Sequence, residues 1–300
     1  LKFLRFDVCA FSSIISLLAL PAMGQTQQQP SQPPAPSTQP APAQGQTAVP
    51  DYPDPRTLTI GLFYWLGGPG QEPSYYGGSQ APDYETLTDW GKVHRSIPGL
   101  EAVVPITRTG EIHFEYFRGK GDGNQTTSVA NLDVFGANYV QGDYLATQYQ
   151  FQSAKLYLDD LLFPHKFPVA KFRLKSLWEV EWVQIKGTID APLLDAVLAA
   201  ESEGADSANA VRNIVLPTFG LAAEYALSRH VLLRASIAAM GIPHHSDLVD
   251  AEATISYRLG AWEIRGGGKA LHFKSSPNSD EYVSATLAGA FVGVRWHWSL

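Results

Sequence analysis

The stretch Ala251–Ala270, AEATISYRLGAWEIRGGGKA, decides how this chain folds. Gly260-Ala261 is a Gly-X pair suited to the two-residue type II′ turn of a β-hairpin, and it sets Leu259 opposite Trp262. The pairs Leu259/Trp262, Tyr257/Ile264, Ile255/Gly266 and Ala253/Gly268 then share a face that is apolar or small throughout. The other face carries Arg258/Glu263, Ser256/Arg265, Thr254/Gly267 and Glu252/Lys269, so one register yields opposite charges across the strands and an uncharged reverse side. Two environments suit such a hairpin. In a soluble sandwich the oily face meets a second sheet; in a membrane barrel it meets lipid and the charged face lines the lumen.

The same scheme recurs. Ile214–Leu227 and Val231–Met240 turn at Ser228-Arg229-His230, placing Leu227/Val231, Tyr225/Leu233, Ala223/Ala235 and Leu221/Ile237 outward and Glu224 opposite Arg234 on the far side. Leu100–Thr107 and Glu111–Arg118 join at Arg108-Thr109-Gly110, with Gly110 where a three-residue turn favours positive φ; this predicts the pairs Ile106/Ile112, Val104/Phe114 and Ala102/Tyr116. Thr57–Leu66 sets Leu58, Ile60, Leu62, Tyr64 and Leu66 on one face, and Val169–Ile185 sets Phe172, Leu174, Trp178, Val180 and Trp182 against Lys171, Arg173, Lys175, Glu179 and Glu181. In Asp143–Tyr157 the apolar set Leu145, Tyr149, Phe151 and Tyr157 is broken by Lys155, which reads as a lysine snorkelling at a membrane boundary. The last segment, Tyr282 to Leu300, alternates Ala288, Ala290, Val292, Val294, Trp296 and Trp298 with Gly289, Phe291, Gly293, Arg295 and His297.

These segments predict an all-β, antiparallel, up-and-down transmembrane barrel of about ten strands. Its connections alternate between short and long, with Gly67–Ser96, Gly119–Gly142, Asp190–Asn213, Gly241–Asp250 and Lys274–Glu281 on the long side. Outer-membrane barrels have short periplasmic turns and long extracellular loops. Within Asp190–Asn213, Asp190 suits a helix cap, Pro192 the first turn, and Leu193, Leu194, Val197 and Leu198 one face, so a short helix packed against the rim is expected. Tyr257, Trp262, Trp296 and Trp298 fall near short-turn ends, where an interfacial aromatic girdle belongs. Glu224, Arg234, Glu252, Arg258, Glu263, Arg265 and Lys269 are expected to form a charge network in the lumen.

Three hundred residues with a net charge of −7 give no basic footprint of nucleic-acid binding. A mean hydropathy of −0.10 is what alternating strands produce. Lys2 and Arg5 ahead of the apolar run Ala10–Leu20, followed by Ala22-Met23-Gly24, predict a cleaved secretory signal over residues 1–24. The only cysteine, Cys9, precedes that run, so the mature chain carries no disulfide. Residues 25–55, rich in Gln, Pro, Ala, Ser and Thr, are expected to be an unfolded periplasmic tether reaching on the order of 90 Å when extended.

Residues 56–300 resemble the small bacterial outer-membrane β-barrel superfamily in architecture, and Val292, Val294, Trp296 and Trp298 resemble the carboxy-terminal signal read by the barrel-assembly machinery. The sequence departs from that signal by continuing to Ser299 and Leu300 instead of ending on an aromatic residue. The resemblance implies a Gram-negative outer membrane, with its lipid and lipopolysaccharide as partners. The function that follows is a non-enzymatic anchor displaying surface loops. A narrow porin-like channel is one alternative, and an enzyme is another. His244 and Ser246 form a His-x-Ser pair that looks like that of the lipid A deacylases, with Glu252 as an orienting group, but they fall in an expected loop. Asp159-Asp160 would suit the omptin proteases yet falls at a periplasmic connection. His244, His245 and Asp247 offer only weak metal ligation, and neither metal nor cofactor is expected.

Overall fold

The computed structural model describes residues 57–67, 96–107, 109–126, 137–163, 171–191, 207–242, 246–275 and 282–299, and four short strands: Ser74–Tyr76, Thr86–Asp89, Lys92–Val93 and Asn131–Val134. The expected leader (1–24) and tether (25–55) lie outside these residues. Ten long strands follow one another around a closed antiparallel sheet: β1 (Thr57–Gly67), β2 (Ser96–Pro105), β3 (Gly110–Thr126), β4 (Tyr144–Phe163), β5 (Phe172–Asp190), β6 (Ser207–Ala226), β7 (Val231–Ile242), β8 (Ser246–Leu259), β9 (Trp262–Lys274) and β10 (Tyr282–Ser299). Closure comes from β1 on β10, in register from Thr57 opposite Ser299 to Gly67 opposite Gly289. A closed ladder leaves no edge, which is the condition for a sheet to cross hydrocarbon.

The hairpin β8–β9 has the expected register, Leu259 opposite Trp262 through Asp247 opposite Lys274, and Gly260 takes a φ of 63° that its missing Cβ makes inexpensive. The β6–β7 register, Phe219 opposite Ala239 through Glu224 opposite Arg234, also follows the sequence pattern. The β2–β3 register is displaced by two residues, with Val104 opposite Ile112 and Ala102 opposite Phe114. Here the Thr107 hydroxyl accepts hydrogen bonds from the Gly110 and Thr109 amides, at 2.7 and 3.2 Å, so threonine organises the turn. Positive φ occurs at Gly142 and Gly260 among the described glycines, and Gly110 instead begins β3.

Along the lower strands the outward positions are Ile60, Leu62, Phe114, Leu156, Trp178, Val180, Phe219, Ile255, Ile264, Val292 and Val294, all large and exposed. Such a belt would make a water-soluble protein aggregate; it matches a hydrocarbon layer. At its turn-side border Trp262 meets Trp296 edge-on at 4.3 Å and Trp296 meets Trp298 at 5.9 Å, with Tyr257 6.1 Å from His230.

Toward the loop end the pattern inverts. The outward positions of β4 and β5 become Gln152, Gln150, Gln148 and Gln184, Lys186, Thr188, whereas Phe151, Tyr149, Leu145, Ile185 and Ile189 turn into the lumen. This corrects the expected β4 face. Its apolar set is the inner one, and Lys155 is buried in the lumen, not snorkelling outward. The inversion marks the edge of the lipid, because side-chain amides facing hydrocarbon would be left unsolvated. The lowest of these amides form a hydrogen-bonded row across four strands: the Tyr116 hydroxyl donates to Gln152 (3.2 Å), Gln152 to Gln184 (2.7 Å) and Gln184 to Asn213 (2.6 Å).

Three loop expectations change. The expected loop Gly119–Gly142 begins later, because β3 runs on to Thr126, opposite Tyr144. β7 and β8 are joined by three residues, 243–245, so Gly241–Asp250 is mostly strand and the strict short–long alternation fails there. Of the expected helix over Asp190–Asn213, Asp190 ends β5 and Ser207–Asn213 belongs to β6, where pairing such as Gln184 opposite Asn213 outweighs local propensity; residues 192–206 lie outside the described part. The wall is consequently uneven, with strands of 20, 19 and 20 residues in β4–β6 and 12 in β7.

Ile255→Arg, an outward substitution in the apolar belt, is expected to cost about 2–4 kcal/mol and to lower the fraction of heat-modifiable, folded protein on gels. Ile255→Val should migrate as the parent does.

Candidate functional site

The period-two alternation that sends apolar side chains into lipid sends the opposite parity into the lumen. In the turn-side half this inner parity is charged on nearly every strand, and three linked groups result. In the first, the fully buried Asp159 of β4 meets His113 Nε2 at 3.2 Å, Lys175 Nζ at 2.9 Å and Arg234 at 3.5 Å. Glu224 extends this group through Arg173 (2.7 Å), Lys175 (3.3 Å) and Arg234 (3.4 Å). In the second, Glu101 receives a two-pronged contact from Arg295, Nη2 at 2.7 Å and Nε at 2.9 Å, and a third from Arg265 at 3.2 Å. Glu263 then joins Arg295 (3.4 Å) and His297 (3.0 Å), and His297 bonds Thr59 at 2.9 Å.

The third group crosses the lumen. Lys269 of β9 pairs with Glu115 of β3, and Lys155 of β4 pairs with Asp250 of β8. Each couple is four strands apart around a ten-stranded wall, so the side chains reach from nearly opposite sides and touch. Lys269 also lies 3.7 Å from Glu252. Glu181 and Glu179 complete this layer by accepting from Ser153 (2.6 Å) and Thr218 (2.8 Å).

Above the charges the lumen is apolar. Trp65 packs edge-on to Phe117 at 5.3 Å, Phe117 contacts Phe151 at 5.7 Å, and Phe151 of β4 stacks on Phe273 of β9 at 5.3 Å, from diametrically opposed strands. Leu145, Ile185, Ile189, Leu248, Leu271 and Val283 fill this level and the lumen above it, all buried. The layers meet through cation–π contacts: Lys269 Nζ lies 5.5 Å from the Phe117 ring and the Arg265 guanidinium 4.9 Å from that of Phe291. The inner face of Gly99 holds the Phe63 ring, which a Cβ there would strike at 2.1 Å. Among the first two charged groups a cavity of about 70 Å³ opens toward the turn end, lined among others by Thr57, Glu111, His113, Arg173, Lys175 and His297.

Of the residues the sequence singles out for the lumen, Glu224, Arg234, Glu252, Glu263, Arg265 and Lys269 lie in it, while Arg258 bonds back to the Gly260 carbonyl at 3.1 Å and belongs to the turn. Glu263, cross-strand from Arg258, is taken instead by Arg295 and His297. Sequence reasoning missed Glu101, Glu115, Lys155, Asp159, Asp250 and Arg295 as partners. One row would have betrayed some of them: Glu115, Lys155 and Glu181 are neighbours on adjacent strands with alternating charge.

The enzyme candidates separate. Asp159 is in β4 with its side chain in the lumen, not in a connection. Ser246 begins β8 at the loop end, and Glu252 lies six residues further down that strand, about 20 Å away, held by Lys269 and Arg265. His244 and His245 lie outside the described residues, and Asp247 sits 3.4 Å from His272. Glu111, His113 and Asp159 bring potential metal-ligating atoms within 4.8 Å of one another. Lys175 already supplies the countercharge there, at 3.2 Å from Glu111 and 2.9 Å from Asp159, and a cation would have to displace it.

No protein-family model and no curated protein sequence matches the chain. Among solved structures, the outer membrane protease OmpT from Escherichia coli is similar at a TM-score of 0.55 and 9% identity, over 81% of this chain and 97% of that one. Weaker likenesses include Ail, the attachment invasion locus protein of Yersinia pestis (TM-score 0.32, 6% identity, 81% and 97% covered), and OprG from Pseudomonas aeruginosa (0.34, 11%, 81% and 96%). At such identities the likeness concerns the fold, which is that of a ten-stranded outer-membrane β-barrel.

Removing one partner of a cross-lumen pair leaves a buried charge. Glu115→Ala is expected to lose about 3–5 kcal/mol in urea unfolding followed by tryptophan fluorescence, and Glu115→Leu with Lys269→Met to recover most of it.

Proposed function

We propose that the protein is a closed, non-conducting and non-enzymatic outer-membrane anchor that acts through the parts it holds outside the hydrocarbon. The observation that carries this reading is the contact between opposite walls at two levels, Lys269 with Glu115 and Lys155 with Asp250 below, and Phe151 on Phe273 above. A transport path needs a continuous hydrated lumen, and the packed rings of Trp65, Phe117, Phe151 and Phe273 offer an ion little in place of its hydration. The extension of β3–β6 beyond the apolar belt supports a display role at the cell surface. In this reading residues 25–55 tether the barrel on the periplasmic side, and β10 presents the signal for barrel assembly.

Bilayer recording tests the proposal. Wild-type protein in planar membranes is expected to give no stable single-channel steps, whereas Phe151→Ala with Phe273→Ala, which removes the upper contact, should give brief openings. Stable large steps from the wild type would overturn the closed-lumen reading. A change in lipid A mass that depends on Ser246 would overturn the non-enzymatic one; none is expected by mass spectrometry.

A further inference from the structure

The outer wall of β3–β6 changes character within one pleat of the lipid edge. Tyr116 and Trp182 are the last outward aromatic residues on β3 and β5, and the next outward positions on those strands are Arg118 and Gln184. One row higher, Lys120 is opposite Gln150, and Gln150 is opposite Lys186. Lys120 and Lys186 thus flank one carboxamide at about 10 Å from each other, and Arg118 lies about 7 Å below Lys120. Arg118 donates to Gln150, which fixes its guanidinium against the wall.

All three cations are exposed and point away from the lumen, and none forms an ion pair among the described residues. The carboxylate in the row above, Asp122, lies opposite Lys92 and has its own interaction. Three unneutralised cations and a row of amides just above hydrocarbon make a surface for oxyanions and hydroxyls together. Ammonium and guanidinium groups suit phosphate, and carboxamides suit sugar hydroxyls. A single phosphodiester is small for this patch, whose four strands span about 14 Å of wall; a sugar bearing more than one phosphate covers it.

We propose that this face is a binding site for a phosphorylated glycolipid headgroup of the outer leaflet. Arg118, Lys120 and Lys186 hold its phosphates, and Gln184 and Asn213 bond its sugar hydroxyls. The inference rests on the barrel crossing the outer membrane with its loop end outward, and not on whether the lumen conducts.

The test is native mass spectrometry of the full-length protein in detergent, titrated with bisphosphorylated lipid A, its phosphatase-treated form, or phosphatidylglycerol. The wild type should retain bisphosphorylated lipid A about tenfold more strongly than either of the other two. Arg118→Ala/Lys120→Ala/Lys186→Ala should remove that preference. Arg229→Ala, which removes an exposed cation at the turn end, should keep it. Heat-modifiable migration confirms folding of each variant. Should the triple variant fail to fold, Lys120→Ser/Lys186→Ser reads the same loss, and Lys120→Arg/Lys186→Arg should preserve binding. Equal retention of the phosphate-free lipid, equal retention of phosphatidylglycerol, or undiminished binding by the folded charge-removed variant would overturn the proposal.

Discussion

Closure of the hydrogen-bonded ladder between β1 and β10 is the constraint on which everything else depends. In hydrocarbon an unpaired backbone amide has no water to turn to, so the wall must be continuous. Continuity with period-two side chains then divides every strand into a lipid face and a lumen face. A narrow lumen has too little water to solvate isolated charges, and so its acids and bases find one another. The ion pairs around Asp159, Glu101 and Lys269 are therefore a consequence of the closed wall as much as a contribution to it.

The interior divides into two levels because the surroundings do. Where the outside is lipid, the outer parity must be apolar, and polar residues are left to the inside. Above the lipid the constraint lapses: the outer parity turns to glutamine, asparagine and lysine, and the inner one to phenylalanine, leucine and isoleucine. That upper section has the logic of a water-soluble barrel built on top of a membrane one. The stack of Phe151 on Phe273 is part of its core.

Much of this was legible in residues whose neighbours are local. Gly260 sets the β8–β9 turn, and every pair above it follows. At β2–β3 a threonine hydroxyl, not a glycine, organises the turn, and nothing in residue type announces which will prevail; the register slipped by two while the faces stayed correct. β4 was misread because one strand passes through both environments, and an apolar set in its upper half looks like a lipid face when the lipid edge is unknown. Partner choice in the lumen was the least readable feature. Cross-strand position put Glu263 with Arg258, but the wall curves, and Arg295 and His297 reach it instead. The helical spacing of Leu193, Leu194, Val197 and Leu198 likewise said nothing of the strands that begin and end on either side.

The ion pairs between strands far apart in sequence carry a consequence for how the barrel comes into being. Lys155 and Asp250 are separated by 95 residues, Glu115 and Lys269 by 154, and Glu101 and Arg295 by 194. Hairpins can form early from neighbouring strands, but each of these partners arrives only after several further strands have been made. A half-built sheet in the membrane would present Glu115 and Lys155 without Lys269 and Asp250, an arrangement stable only while water or a helper protein covers them. Insertion and closure are thus bound into one late event, and partly assembled forms are left exposed to quality control until the last strands arrive.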